Sequence, residues 1–258
     1  MTTRAAPASG GIEWLRQALR LLGRRPLSLV ASMGAGFFML LLLALTPILG
    51  PVLATAAVPA VSLGMLAACR TADAGAVPGI AQYIESLRPG PALGRLFALG
   101  AANAALMIPM SLLIEALGVA LGLQQTPAGT VVADPGTPIP MHPGLLAIQF
   151  VLTLPILMAM LLAPALVAWR GLAAGKAMFF SFFACWRYRW PLLAFFGSVL
   201  GMGFLLVLTL SALLSLATSD PRNAMVAVVP VSLGMLTLLQ CGTYRMYLQV
   251  FDAPEATG

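Results

Sequence analysis

Val61-Ser62-Leu63-Gly64-Met65-Leu66 recurs unchanged at Val231-Ser232-Leu233-Gly234-Met235-Leu236. Each copy closely follows a proline, Pro59 or Pro230. Each is followed by a cysteine and then an arginine: Cys69-Arg70 in the first case, Cys241 and Arg245 in the second. Six identical residues can arise by chance in a chain rich in leucine, glycine and valine. The match gains weight only if both copies occupy the same place in a larger repeated unit.

Composition sets the surroundings of that unit. The chain has 258 residues, 60% of them hydrophobic and only 9% charged, against roughly 45–50% and about 25% in a soluble domain. Its mean hydropathy is +0.96. A chain this apolar cannot cover a water-facing surface, so its solvent is largely lipid. The net charge of +6 lies between apolar runs, where membrane-flanking charge is found, and argues against a nucleic-acid partner. Cys69, Cys185 and Cys241 form no C-x-x-C pair, and the one histidine, His142, is remote from them in sequence. No metal or cofactor site is expected, and the cysteines read as small buried thiols.

Six stretches are long enough to cross a bilayer, which takes about 20 residues. They are approximately 27–49, 52–69, 96–122, 145–169, 192–217 and 224–244. The first is too long for the apolar region of a signal peptide and runs through Gly50-Pro51 into a second apolar run. It reads as a retained helix, with Gly50-Pro51 as a hairpin turn. Of the 14 lysines and arginines, all but Arg222 fall on one side of these spans. The positive-inside rule then places both termini in the cytoplasm. The turns at 50–51 and 218–223 and the loop 123–144 lie outside. That loop is rich in proline, glycine and threonine and reads as irregular.

A short amphipathic segment precedes each hairpin. Ile12, Leu15, Leu19 and Leu22 share one helical face in the first. Ile80, Tyr83, Ile84 and Leu87 do so in the second. Met178, Phe179, Phe182, Phe183, Trp186 and Trp190 cluster at helical spacing in the third. Such segments lie in the interface plane, apolar face down. Each ends in arginine and proline (Arg25-Pro26, Arg88-Pro89, Arg189-Trp190-Pro191), and each hairpin leaves the membrane at an arginine: Arg70, Arg170 and Arg245. The repeated unit is therefore amphipathic helix, proline, helix, outside turn, helix, arginine, over approximately 11–70, 77–170 and 176–245. The two hexapeptides fall in the returning helices of the first and third units. Repeat ancestry is the better reading of the match, and the units are parallel rather than inverted.

The stretches Ala67-Ala68-Cys69-Arg70-Thr71-Ala72-Asp73, Ala163-Pro164-Ala165-Leu166-Val167-Ala168-Trp169 and Lys176-Ala177-Met178-Phe179-Phe180-Ser181-Phe182-Phe183-Ala184-Cys185-Trp186-Arg187 carry a resemblance. From about Trp14 to Phe251 the chain resembles uncharacterised proteobacterial inner-membrane proteins, the BPSS-type hypothetical transmembrane proteins. The resemblance implies a bacterial inner-membrane location and brings no catalytic residues.

Two groups of residues stand out chemically. Glu115 is the one acid well inside a span, where ionisable groups are expensive and default to a functional hypothesis. Asn103, Met107, Ser111 and Glu115 step by four along one side of the third span, and Gln149 and Thr153 begin the fourth. This polar seam has two readings. Glu115 is protonated or serves as interhelical glue near the outer surface, or it binds a proton or ligand. Arg70, Arg170 and Arg245 form a ring at the cytoplasmic mouth, either anchoring the topology or binding an anionic headgroup. Trp186, Arg187, Arg189 and Trp190 form an aromatic-basic cluster that anchors at the interface or recognises anionic lipid. Gly118-x-x-x-Gly122 and Gly197-x-x-x-Gly201 permit close helix contact. Gly171 to Ala177 departs from the phosphate-loop pattern, and no H-E-x-x-H or G-x-S-x-G occurs.

The expectation is a single all-α membrane domain of six spans in three parallel hairpins, each led by a cytoplasmic interfacial helix. Its function is non-enzymatic, organising lipid or a membrane-protein partner. The alternative is a small-molecule or lipid transporter that uses Glu115.

Overall fold

The computed structural model describes residues 9–47, 49–86, 90–123, 142–217 and 222–251. Among them there is no strand. The helices are α1 (Ser9–Arg24), α2 (Pro26–Ala44), α3 (Gly50–Asp73), α4 (Ala81–Ser86), α5 (Pro91–Ala120), α6 (Pro143–Leu161), α7 (Ala163–Trp169), α8 (Ala174–Arg187), α9 (Arg189–Ala217) and α10 (Arg222–Phe251). Most of the outer loop, the 218–221 turn and Leu87-Arg88-Pro89 lie outside the described residues.

Among the described residues, five helical stretches are long and apolar enough to span a membrane: Pro26–Ala44, Gly50–Asp73, Ala92–Ala120, Pro143–Trp169 and Arg189–Leu214. The sixth expected span falls within α10, a 30-residue helix that is not among the five. The second half of α10 is covered by protein: Leu238, Cys241, Tyr244, Met246 and Tyr247 are buried.

Proline marks several helix starts. Pro26 and Pro91 open α2 and α5 from the first turn, where a missing N–H costs nothing and φ is already helical. The Gly50-Pro51 pair corrects an expectation. It is not the hairpin turn but the first turn of α3, and the described turn residues stand just before it, at 45–47 and 49. A side chain at Gly50 would collide with the Ala44 carbonyl oxygen at the end of α2, so glycine is what lets the two helices meet this closely.

The expected span 145–169 is broken at Leu162 into α6 and α7. Pro164 disfavours a continuous helix through its own ring and through the residue before it. The gap is filled from α8. Ser181 Oγ accepts from the Leu162 N–H at 3.0 Å and donates to the Met158 carbonyl at 2.8 Å. One hydroxyl is thus inserted between a donor and acceptor that an unbroken helix would join directly, a recognised cause of kinks.

The pairs α2–α3, α5–α6 and α9–α10 each pack together, and the short helices pack in a consistent order. Helix α4 packs on α3, α8 packs on α6 and α7, and α1 packs on α9 and α10. Each short helix therefore lies on the pair that precedes it in the chain, with α1 closing the circle on the last pair. The core gathers at this end. Trp14, Ala18 and Leu21 of α1, Leu66 to Cys69 of α3, Leu162 to Val167, Ala177 and Cys185 of α8, Phe195, and Leu238 to Tyr247 contribute to it. At the opposite end the helices carry many exposed apolar side chains, such as Phe38, Leu42, Leu112, Phe150, Phe204 and Leu205, as a lipid-facing surface requires.

The amphipathic segments present other faces than expected. In α1 the packed row is Gly11, Trp14, Ala18 and Leu21, while Ile12 and Leu19 of the expected face are exposed. In α4 Tyr83 turns inward and donates its hydroxyl to the Ser32 carbonyl at 2.8 Å. Its ring lies where a side chain at Gly64 would otherwise stand, and Ile80 and Ile84 stay exposed. In α8 the small residues Ala177, Ser181, Ala184 and Cys185 are buried. Phe179, Phe183, Trp186 and Trp190 remain exposed, as an interfacial face demands.

The hexapeptides lie in α3 and α10, the second helices of the first and third pairs, each just after a proline inside the helix. The first copy is buried at Val61, Leu63, Gly64, Met65 and Leu66. The second is half-buried at Leu233, Met235 and Leu236, because α3 contacts most of the other elements and α10 fewer. Among the described residues, nothing beyond the local backbone of α9 stands within 4 Å of where a side chain would start at Gly197 or Gly201. That glycine pair therefore makes no close contact with another described helix.

Candidate functional site

Two sites take shape, one at each end of the bundle. At the core end the three returning strands of chain bring their terminal residues together. The Arg70 guanidinium lies 5.3 Å from the Trp169 ring centre, within cation–π reach. Trp169 meets Tyr247 edge-on at 4.9 Å and Tyr244 at 6.4 Å. These residues, with Arg170 and Leu248, line a recess of about 290 Å³. Arg170 also donates to the Phe251 carbonyl, and Arg95 of α5 donates to the Gly171 carbonyl, so the recess is framed by α3, α7 and α10 and braced by α5.

The expected ring of Arg70, Arg170 and Arg245 is thus brought to one place, but its members differ. Arg70 and Arg170 line the recess. Arg245 is turned to Asp73, with Nη2 at 2.5 Å from Oδ1. Asp73 also receives Arg24 at 3.5 Å and the Tyr244 hydroxyl at 3.4 Å. Asp73 is therefore the counter-ion that ties α1, α3 and α10. Reading the sequence for topology counts only cations, and so passes over it. Trp169, Tyr244 and Tyr247 were also missed; their signal is their position beside the exit arginines. Cys69 and Cys241 lie nearby with sulfurs 3.4 Å apart, both buried.

Arg187 and Arg189 stand apart from the ring, at the α8–α9 junction. Arg189 lies 5.6 Å from the Trp186 ring and 5.7 Å from the Trp190 ring, and Arg187 lies 6.0 Å from Tyr188. Both tryptophans are more than half exposed. The cluster therefore combines exposed indoles with cations held over them, a combination suited to a membrane interface.

At the opposite end Asn103, Ser111, Glu115, Gln149 and Thr153 all line one cavity of about 730 Å³ between α3, α5 and α6. The four-residue stepping on α5 and the start of α6 thus face the same space. Thr55 and His142 line it too; neither was expected there. Asn103 is buried and donates to the Thr55 carbonyl of α3 at 2.8 Å. Ser111 donates to the Ile108 carbonyl, and Thr153 to the Gln149 carbonyl. His142 accepts from the Gly144 N–H at 3.2 Å and caps α6. Most of the remaining wall is apolar, including Val58, Ile114, Leu145, Leu157 and Met160.

Outside the spans, burial pushes the Cys185 thiol up to about 12. Burial likewise raises Tyr83, against the lowering effect of its bond to the Ser32 carbonyl. Neither group faces either cavity.

The chain matches no family model, and no solved structure matches it. A curated protein of Burkholderia thailandensis, named a probable inner membrane protein, is 29% identical over 259 residues, covering 96% of this chain and 93% of the relative. The chain thus carries the several apolar helices of a multi-pass membrane protein and is similar over nearly its whole length to that probable inner membrane protein of Burkholderia.

Proposed function

We propose that this protein organises anionic lipid at the cytoplasmic face of the bacterial inner membrane, without catalysing a reaction. In this reading α10 is a sixth span, the three helix pairs are parallel hairpins, and both termini are cytoplasmic, as the bias of lysine and arginine implies. The carrying observation is the recess in which Arg70 and Arg170 meet around Trp169. Two guanidinium groups beside an aromatic wall suit a phosphate headgroup, since guanidinium presents a planar fork of donors. The exposed Phe179, Phe183, Trp186 and Trp190, with Arg187 and Arg189, support interfacial anchoring next to the same leaflet.

The test is native mass spectrometry of the protein extracted from its own membrane. Retained phosphatidylglycerol or cardiolipin should fall in Arg70→Gln/Arg170→Gln. Arg187→Gln/Arg189→Gln should lower it less. Unchanged lipid retention in both double variants refutes the reading. A stoichiometric protein partner retained without lipid moves the organising role to that partner.

A second reading rests on a separate observation: all five residues of the polar seam line one cavity. It makes the protein a handler of a small molecule or lipid, with Glu115 as the contact. Loss of a co-purifying ligand in Glu115→Gln supports it; retention of that ligand in the variant counts against it.

A further inference from the structure

Helices α3 and α10 touch at two levels one turn apart. Cys69 Sγ lies 3.4 Å from Cys241 Sγ. Four residues further along each helix, Asp73 meets Arg245 at 2.5 Å. Residues four apart share a helix face, so the equal step shows that the two helices run parallel and in register here. The ion pair, with the Tyr244 hydroxyl on the same carboxylate, holds the register that keeps the sulfurs in contact. Both thiols are free and fully buried, in the same apolar core as Met65, Leu66 and Leu238. The third cysteine, Cys185 of α8, is buried too, but its sulfur lies against the Met158 carbonyl of α6. The pair also adjoins the arginine recess. Arg70 follows Cys69 directly, Tyr244 stands one turn beyond Cys241, and both line that recess.

We propose that Cys69 and Cys241 form a dithiol modification site, oxidised to a disulfide by an organic hydroperoxide dissolved in the bilayer, and that the new bond narrows the recess. Its second half rests on the headgroup reading above. A disulfide holds its sulfurs at about 2.0 Å, so these two must close by about 1.4 Å, a movement shared between two side chains and their helices. In the first step one thiol sulfur attacks a peroxide oxygen. The O–O bond breaks, the thiol proton passes to the departing alkoxide, and an alcohol and a sulfenic acid result. The second sulfur then attacks the sulfenic sulfur. The S–O bond breaks, and hydroxide leaves with the second proton as water. Two thiols have lost two electrons, and the hydroperoxide has gained them. Neither sulfur reaches the surface, so an apolar oxidant is preferred to one confined to water. On a cytoplasmic face thiols are kept reduced and a disulfide is transient, which suits a sensor rather than a permanent staple. Drawing α3 toward α10 brings Arg70 toward Tyr244 across a recess of only about 290 Å³, leaving less room for a headgroup.

The experiment uses the full chain in nanodiscs of saturated phosphatidylglycerol, treated with cumene hydroperoxide. Peptide mass spectrometry should find one cross-link, Cys69 to Cys241, formed with one equivalent of hydroperoxide and reversed by dithiothreitol. Cys185 should stay a thiol. Native mass spectrometry of protein released from the same nanodiscs should show retained phosphatidylglycerol falling below half of the reduced protein's. Cys69→Ala/Cys241→Ala, given the same treatment, should keep its lipid. A folded protein whose two thiols survive the hydroperoxide overturns the modification site. So does a cross-link that forms only after unfolding. A cross-link with unchanged lipid retention overturns the coupling to the recess and leaves the dithiol site standing. Full lipid retention in Arg70→Gln/Arg170→Gln instead sinks the headgroup reading, and with it the coupling, while the cross-link is decided by its own peptide.

Discussion

Arg245 of α10 and Asp73 of α3 meet with Nη2 2.5 Å from Oδ1, and the pair is mostly shielded, at 19% and 25% side-chain exposure. Arg24 and the Tyr244 hydroxyl join the same carboxylate. Removing the carboxylate strands three partners, one of which, Arg245, already has a buried Nε without a partner among the described residues. Asp73→Asn should therefore destabilise the protein by about 1–3 kcal/mol, since a partly buried cation left without its counter-ion bears a desolvation cost. Tyr244→Phe and Arg24→Gln, each removing one longer contact, should cost less. Thermal unfolding in a neutral detergent, followed by tryptophan fluorescence, gives the order. If Tyr244→Phe proves the most damaging of the three, Asp73 is not the hub of the cluster.

The kink between α6 and α7 depends on one side chain. Ser181→Ala leaves the Leu162 N–H and the Met158 carbonyl without the bridging hydroxyl in a fully buried place. The expected loss is about 1–3 kcal/mol, the cost of an unsatisfied buried N–H at Leu162, while the Met158 carbonyl keeps only the weak Cys185 thiol donor. Cysteine at 181 should restore little, because a thiol donates weakly. Adding Pro164→Ala to Ser181→Ala should recover part of the loss, by letting the helix close its own ladder. A strictly additive double variant would mean that the serine and the proline act independently.

The helices were legible because an apolar run of about 20 residues has few other uses. The polar seam was legible for a related reason: steps of four put Asn103, Ser111 and Glu115 on one side of any helix, and one side of α5 faces α6. The facing of α1 was not. Gly11, Trp14, Ala18 and Leu21 form one apolar row, and Ile12, Leu15, Leu19 and Leu22 form another, one residue on. Lipid tails are as apolar as leucine, so hydropathy does not separate a protein-facing row from a lipid-facing one. The choice is made by size. Gly11 allows α1 to lie against the Pro191 backbone at the start of α9, which no larger residue permits. The Asp73 cluster was hidden because its partners come from three distant segments, a relation that local pattern does not carry. The α6–α7 break was announced by Pro164, but the serine that fills it comes from another helix.

Cys185 gives a chemical check on the α8 packing. Its thiol is buried, lies 3.5 Å from the Met158 carbonyl, and is raised to about 12 by burial. At pH 8 it should remain a neutral thiol, whereas the thiolate is the reactive form. N-ethylmaleimide at that pH should leave Cys185 unmodified in the folded protein and label it after unfolding, as read by peptide mass spectrometry. Raising the pH to 9 should leave the folded protein resistant, since the pH is still below the raised value. Rapid modification at pH 8 without loss of structure would place α8 away from α6.

Trp14 offers the sharpest test of where α1 lies. It is 1% exposed, and its indole N–H donates to the Gln249 side chain at the end of α10. Ile12, two residues earlier on the same helix, is 53% exposed. A helix lying freely on the membrane would use both side chains in the same way, as apolar contacts with lipid. A helix packed on α9 and α10 uses them differently. Trp14→Ala should then cost about 3–5 kcal/mol, the range for emptying a large aromatic site in a core. Ile12→Ala should change the unfolding midpoint little and weaken only the contact with lipid. Trp14→Phe separates the two parts of the tryptophan contribution, keeping most of the packed volume while losing the bond to Gln249; it should fall between the other two. Equal, small effects of Trp14→Ala and Ile12→Ala on thermal unfolding would detach α1 from the third helix pair. They would also break the circular order in which each short helix caps the pair before it.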